Sequence, residues 1–186
     1  MVVCIRHGQT EYNATKGGGE SELYRGNLNI PLNDQGRREA LEAAGKIGLP
    51  VKFVVSDSSP RDWETGEIIA HDRGAPHVID DRLAPLDIGL LSGKSVKEVA
   101  DLVDWFFRNP DAAFPEGDSV GEWYERQKDA IFEYIDVDDG DDRTAIVLIC
   151  QGSTFRSLPA MANDDDWRLI EPTTERVPTG DLEWLT

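Results

Sequence analysis

Cysteine, histidine and positive charge are all scarce in this chain of 186 residues, which has two Cys, three His, and 19 Lys plus Arg against 36 Asp plus Glu. Two cysteines support neither a disulfide framework nor a zinc cluster. Cys4 and Cys150 both fall inside apolar runs, which reads as buried, reduced thiols. A formal charge of −17 repels nucleic acid and anionic membrane surfaces, so neither is an expected partner. An anionic ligand therefore needs a pocket that is locally positive. No apolar stretch approaches the roughly 20 residues of a membrane span, and no basic start leads into a long hydrophobic segment. The chain reads as soluble, intracellular and cytoplasmic. Its length fits one domain, residues 1–186, with room for a sizeable core.

What is present is an alternation of strand-like and helix-like segments. Residues 2–6 and 51–56 are apolar runs of strand length, 77–79 is a shorter one, and Thr144 to Cys150 is a continuous β-branched run. Between them the spacing predicts helices over 34–48, 60–71, 95–108 and 118–135. Asp34 is a possible N-cap of the first, and Asn109-Pro110 stops the third. Ser153 is placed to cap a last helix running to about Met161. Residues 82–94 read as a loop. The alternation predicts an α/β fold with a mostly parallel central sheet and helices on both faces, a three-layer sandwich. No internal repeat is evident. Gly17 to Glu22 reads as a mobile loop tip. The run Asp136 to Asp142 invites a calcium reading, but Leu148 stands where a bidentate Glu closes an EF-hand loop, so a solvated turn is expected.

The chemistry concentrates where the first apolar run breaks off, at Val2-Val3-Cys4-Ile5-Arg6-His7-Gly8-Gln9-Thr10. A buried strand delivers Arg6 and His7 to its carboxyl end, where α/β sheets bind ligands, and Gly8 permits a close backbone approach. Neutral imidazole is a nucleophile near pH 7, and guanidinium holds phosphate oxygens bidentately. By itself the tripeptide is also compatible with a structural histidine. His71, near a helix end, and His77, opening a short strand, read as structural or exposed.

Arg6-His7-Gly8-Gln9-Thr10 with Asn13 resembles the start of the histidine phosphatase superfamily, which includes phosphoglycerate mutases and related phosphatases. The blocks Arg25-Gly26-Asn27-Leu28-Asn29-Ile30-Pro31-Leu32 with Gly36, and Ser56 to Arg61 with Thr65 and Glu67-Ile68-Ile69-Ala70, agree in order and spacing. The resemblance runs from about residue 2 to 160. It implies a phosphoglycerate mutase-like sandwich in which His7 becomes phosphohistidine while Arg6 and Arg61 bind the phosphoryl group, with Asn13 and Gln151 orienting it. The segment Arg82 to Lys94 is similar to the acid-bearing loop, with Pro85 where many members carry Glu. Asp87 is then the candidate acid, and its alternative is to organise the turn before Gly89. Asp118, in Pro115-Glu116-Gly117-Asp118-Ser119, is a second candidate acid or else an N-cap.

One departure stands out. Where members carry a second His followed by Gly, this chain has Gln151-Gly152; a neutral amide donates a hydrogen bond but adds no positive charge. Three functions follow as expectations. The first is a phosphatase acting on a small phosphate monoester through phosphohistidine, with no metal or other cofactor. The second is a noncatalytic phosphate binder, and the third a phosphoglycerate-type mutase. A structural interaction module using the acidic surface is the alternative to all three. The expected partner is a small phosphorylated molecule.

Overall fold

The computed structural model describes residues 1–14, 23–138, 143–162 and 178–185. Five strands, β1 (Val2–Arg6), β2 (Val51–Ser56), β3 (His77–Ile79), β4 (Ala145–Cys150) and β5 (Leu182–Leu185), form one sheet in the order β3-β2-β4-β1-β5. The first four pair in parallel and β5 runs antiparallel along β1, so the sheet is mostly parallel, as the alternation predicts. β5 was not foreseen. A four-residue edge strand owes its form to pairing with β1, a long-range partner that leaves no local pattern.

Burial of every residue of β4, and of all of β1 but its last, reflects helices on both faces. Alternate side chains divide between two cores. Val3, Ile5, Val147 and Ile149 pack with Ala43, Ala44 and Ile47 of α2 (Asp34–Lys46) and Ile69 and Ala70 of α3 (Pro60–Arg73). Val2, Cys4, Ile146 and Leu148 pack with the larger side chains of α4 (Val96–Arg108), α5 (Val120–Val137) and α6 (Gly152–Ala162). Cys4 and Cys150 are buried and free.

Three cap assignments change. Asn33, not Asp34, caps α2, its side chain accepting the Gly36 N–H at 2.8 Å. Ser119, not Asp118, caps α5, in a reciprocal box with Glu122. Gly152 already opens α6, so Ser153 lies within its first turn. The helix α1 (Glu11–Ala14) is one short turn after β1. The 82–94 segment holds two 3-10 turns, Asp81–Leu83 and Gly89–Leu91. Gln127 of α5 fastens the first, donating to the Ala84 carbonyl at 2.8 Å. Of the acidic run, Asp136 and Val137 end α5, and Asp138 pairs with the N-terminal ammonium at 2.8 Å. Residues 139–142, like the 17–22 loop tip, lie outside the described residues.

Candidate active site

β1 and β4 are neighbours in register, Arg6 opposite Cys150, so their carboxyl ends bring His7 and Gln151 to one edge of the sheet. The turn after His7 is held by backbone contact. A Cβ on Gly8 would lie 2.3 Å from the Gly36 carbonyl oxygen, and one on Gly36 would lie 2.0 Å from that of Gln9. Only glycine fits on either side, which explains why both belong to the recognisable blocks. From α3, Thr65 Oγ1 accepts the Gly8 N–H at 3.1 Å and donates to the Arg61 carbonyl at 2.7 Å, tying the turn to the helix that carries the second arginine.

His7 is 0% exposed. Its Nδ1 lies 2.8 Å from the Gly8 carbonyl oxygen, which can only accept, so the ring proton sits on Nδ1 and the lone pair on Nε2. Nε2 is buried without a hydrogen-bond partner. Burial, followed by the positive charges of Arg61, Arg25 and Arg6, holds the imidazole well below its ordinary pKa. The ring is therefore neutral, with its free nitrogen beside three guanidinium groups.

Those three arginines line a cavity of about 640 Å³, together with Gln9, Asn13 and Gln151. His7 lies beneath this lining. Arg61 is buried and donates through Nη1 to the Leu28 carbonyl at 3.0 Å. Arg25 is half-buried, and burial with Arg61 and Arg6 nearby draws its pKa down to about 10. Asn13 Oδ1 accepts from Thr10 Oγ1 at 2.8 Å and from Arg25 Nη1 at 3.4 Å. The 25–32 block had been recognisable as a segment. Arg25 was not singled out in it, because which of its side chains turns inward depends on the packing of the loop.

Gln151 is clamped from two sides. Its Oε1 accepts from Arg61 Nε and Nη2, each at 3.4 Å, and its Nε2 donates to Asp62 Oδ2. With an arginine on one side and a carboxylate on the other, the amide has one orientation. Asp62 also accepts from Ser59 Oγ at 2.6 Å and lies 3.5 Å from Arg61 Nε. Burial raises the Asp62 pKa, with Arg61 opposing it, and burial beside Asp62 raises Asp57 to about 7. This buried pair of acids left no signal in the sequence: Asp62 has the ordinary look of a first-turn acid of α3, and Asp57 that of a loop residue after β2.

Arg6, Asn13, Arg61 and Gln151 thus share one cavity above His7; Asp87 does not line it. The Asp87 carboxylate accepts the Gly89 N–H at 2.8 Å, and its carbonyl accepts the Asp118 N–H at 2.9 Å. That is the turn-organising geometry expected as the alternative for Asp87. The wall at this point is made by its neighbours Pro85, Leu86 and Ile88. Asp118 in turn pairs with Arg126 at 3.2 Å. His71 is exposed on the last turn of α3, and His77 bonds Ser56 Oγ at 2.9 Å, away from the site.

Known proteins resemble this chain in sequence and in fold. The chain is 29% identical over 196 aligned positions to "Probable phosphoglycerate mutase GpmB" of Cronobacter sakazakii, covering 100% of this chain and 87% of the relative. The protein of that name from Klebsiella pneumoniae (strain 342) is 28% identical over 195 positions, with the same coverage. Among solved structures, a mycobacterial glucosyl-3-phosphoglycerate phosphatase superposes with a TM-score of 0.76 at 23% identity, covering 97% of this chain and 87% of that one. The alpha-ribazole phosphatase of Shigella flexneri gives 0.74 at 18% identity, with coverage of 97% and 87%. These likenesses in structure establish the fold. The sequence profile of the Histidine phosphatase superfamily (branch 1) matches residues 2–173, and the chain belongs to that superfamily.

Proposed function

We propose that this protein hydrolyses a small phosphate monoester through a phosphohistidine formed on His7. The observation that carries the reading is the buried, partnerless Nε2 of a neutral imidazole beneath three guanidinium groups. A phosphate entering the cavity draws Arg6, Arg25 and Arg61 onto its oxygens and opens the way to Nε2. The Nε2–P bond forms in line as the bond from phosphorus to the leaving oxygen breaks. The arginines offset charge spread over the equatorial oxygens. Water then attacks phosphorus, the Nε2–P bond breaks, and inorganic phosphate leaves. Among the described residues no carboxylate lines the cavity, so the leaving oxygen takes its proton from water in this scheme. The guanidinium groups supply the positive charge, and the reading invokes no metal.

A second reading, binding without turnover, rests on Gln151. Its amide is spent on Arg61 and Asp62 and brings no charge to the phosphoryl group. Incubation with a ³²P-labelled aryl phosphate in EDTA separates the two. Acid-labile label on the wild-type chain, absent from His7→Ala, is the expected result. Saturable binding of inorganic phosphate with no label at any time would leave only the binder.

A further inference from the structure

An arginine carries five N–H donors, and three of those on Arg61 are engaged inside the protein. Nε and Nη2 both reach Gln151 Oε1 at 3.4 Å, and Nη1 reaches the Leu28 carbonyl at 3.0 Å. One N–H is left on each terminal nitrogen, a pair suited to two oxygens of one phosphate. Where that pair points is decided by what holds the rest of the guanidinium. Gln151 holds it, and Gln151 is itself part of the cavity lining. A primary amide on a cavity wall can turn about its last side-chain bond and offer its NH2 group in place of its oxygen. The bond from Nε2 to Asp62 Oδ2 closes off that turn.

From this series of contacts we infer that Asp62 is a positioning residue, which acts through Gln151 to fix the aim of Arg61 at the phosphoryl group. The inference rests on the phosphatase reading above. Asp62 itself stands behind Gln151, outside the cavity lining. Its surroundings support the assignment. Ser59 is the N-cap of α3, yet its side chain makes no cap hydrogen bond. The hydroxyl instead donates at 2.6 Å to Asp62 Oδ2, the oxygen that also takes the Gln151 amide. A helix start thus gives up a stabilising contact to hold a carboxyl group. Asp62 is fully buried, and its other oxygen, Oδ1, has no hydrogen-bond partner. Both features cost free energy. A negative charge so close to the arginines also works against binding an anion. What the placement yields is a single geometry for Gln151 and Arg61.

The test compares Asp62→Ala, Asp62→Asn, Gln151→Ala and the Asp62→Ala, Gln151→Ala double variant of the full chain. Calorimetry reads binding of inorganic phosphate, first-turnover labelling from an aryl phosphate reads transfer to His7, and urea unfolding checks that each variant is folded. Removing a negative charge would by itself tighten phosphate binding in both Asp62 variants. Positioning predicts a different pattern. Asp62→Ala should weaken phosphate binding severalfold and slow labelling about tenfold or more, because a small misplacement of a binding group is costly. Asp62→Asn keeps an oxygen to accept the Gln151 NH2 and should recover most of both losses. Gln151→Ala, cut at the next link, should show the same loss, and adding Asp62→Ala to it should subtract nothing further. Gln151→Ala also carries the test if Asp62→Ala alone does not fold. Undiminished phosphate binding in Asp62→Ala or Gln151→Ala, an equal loss in Asp62→Asn, or a further loss in the double variant would each overturn the inference. Wild-type protein that binds phosphate but takes up no label would remove the phosphatase reading, and the binding series would still decide the role of Asp62. Wild-type protein that does neither would remove both.

Discussion

Two parallel strands end side by side at this site, and they end differently. β1 leads into Arg6 and a neutral His7 whose Nε2 has no hydrogen-bond partner; β4, its neighbour in register, leads into Gln151, an uncharged side chain bound on both flanks. Positive charge at the cavity therefore comes from one strand end, from α3 through Arg61, from the 23–32 loop through Arg25 and from α6 through Arg156. The lesson is that a site's field is a property of the assembled cavity rather than of any one motif. Arg25, in a loop, shares with Arg61 and Arg6 the work of holding His7 neutral. On the β4 side the local design is inverted: a buried acid, Asp62, takes the amide of Gln151 and faces Arg61 at 3.5 Å.

Removing the cation shared by both sides breaks the contrast most severely. Arg61→Leu strips Gln151 Oε1 of its donors and leaves Asp62 without its counter-charge, so loss of about 3–5 kcal/mol is expected from the broken buried pair. Phosphoryl transfer should fall by about 10²–10³ or more. Urea unfolding and single-turnover labelling measure the two effects; a stable, active Arg61→Leu would remove Arg61 from the site. Gln151→His tests the β4 side directly. An imidazole between Arg61 and Asp62 has an acid to hold its proton and presents a cation to the phosphoryl group, so labelling of His7 should speed up by about tenfold. Equal or slower transfer in a well-folded variant would mean the glutamine cavity has its own way of stabilising the transition state.

Arg25→Gln is milder, because Arg6 and Arg61 remain. Phosphate affinity should drop about tenfold with loss of one charge-assisted contact. His7 should titrate at higher pH, since Arg25 is one of the charges that depress it. Proton or nitrogen NMR of the imidazole reads this shift, and an unmoved titration would place the Arg25 charge too far away to matter.

How much of this was legible in the chain depends on the range of the interaction concerned. β1, β2, β4 and the paired cores could be read from unbroken apolar runs and helical spacing, because burial on both faces of a parallel sheet imprints itself locally. Arg6, His7, Asn13 and Arg61 stood in blocks whose order was recognisable. Asp87 was legible as a candidate acid or a turn organiser; its Oδ1 accepts the Gly89 N–H two residues on, and the side chain does not line the cavity. Arg25 and Asp62 matter through partners far along the chain, Arg61 for the first and Gln151, across 89 residues, for the second. No local pattern records such pairings. The apolar part of the lining was equally silent: Leu86 and Ile88 lie in a segment that reads as a loop, and they and Val103 are both buried and part of the lining.

The smallest expected effect concerns the buried acids behind Gln151. Asp57 ionises near 3.8 when exposed and at about 7 in the fold, raised by burial first and then by Asp62. Below the lower value both folded and unfolded chains hold the proton, and this group's contribution to stability is intact. Between the two values the unfolded chain releases the proton while the folded one keeps it, so stability falls as pH rises and levels off once the folded group has ionised. The general acidity of the chain also disfavours high pH through repulsion, so the informative quantity is a difference between proteins. Urea midpoints at pH 5 and pH 8 should differ for the wild type, and the gap should narrow in Asp57→Asn, where no proton is held. A gap of unchanged size would mean that Asp57 reaches solvent and titrates as an ordinary carboxylate.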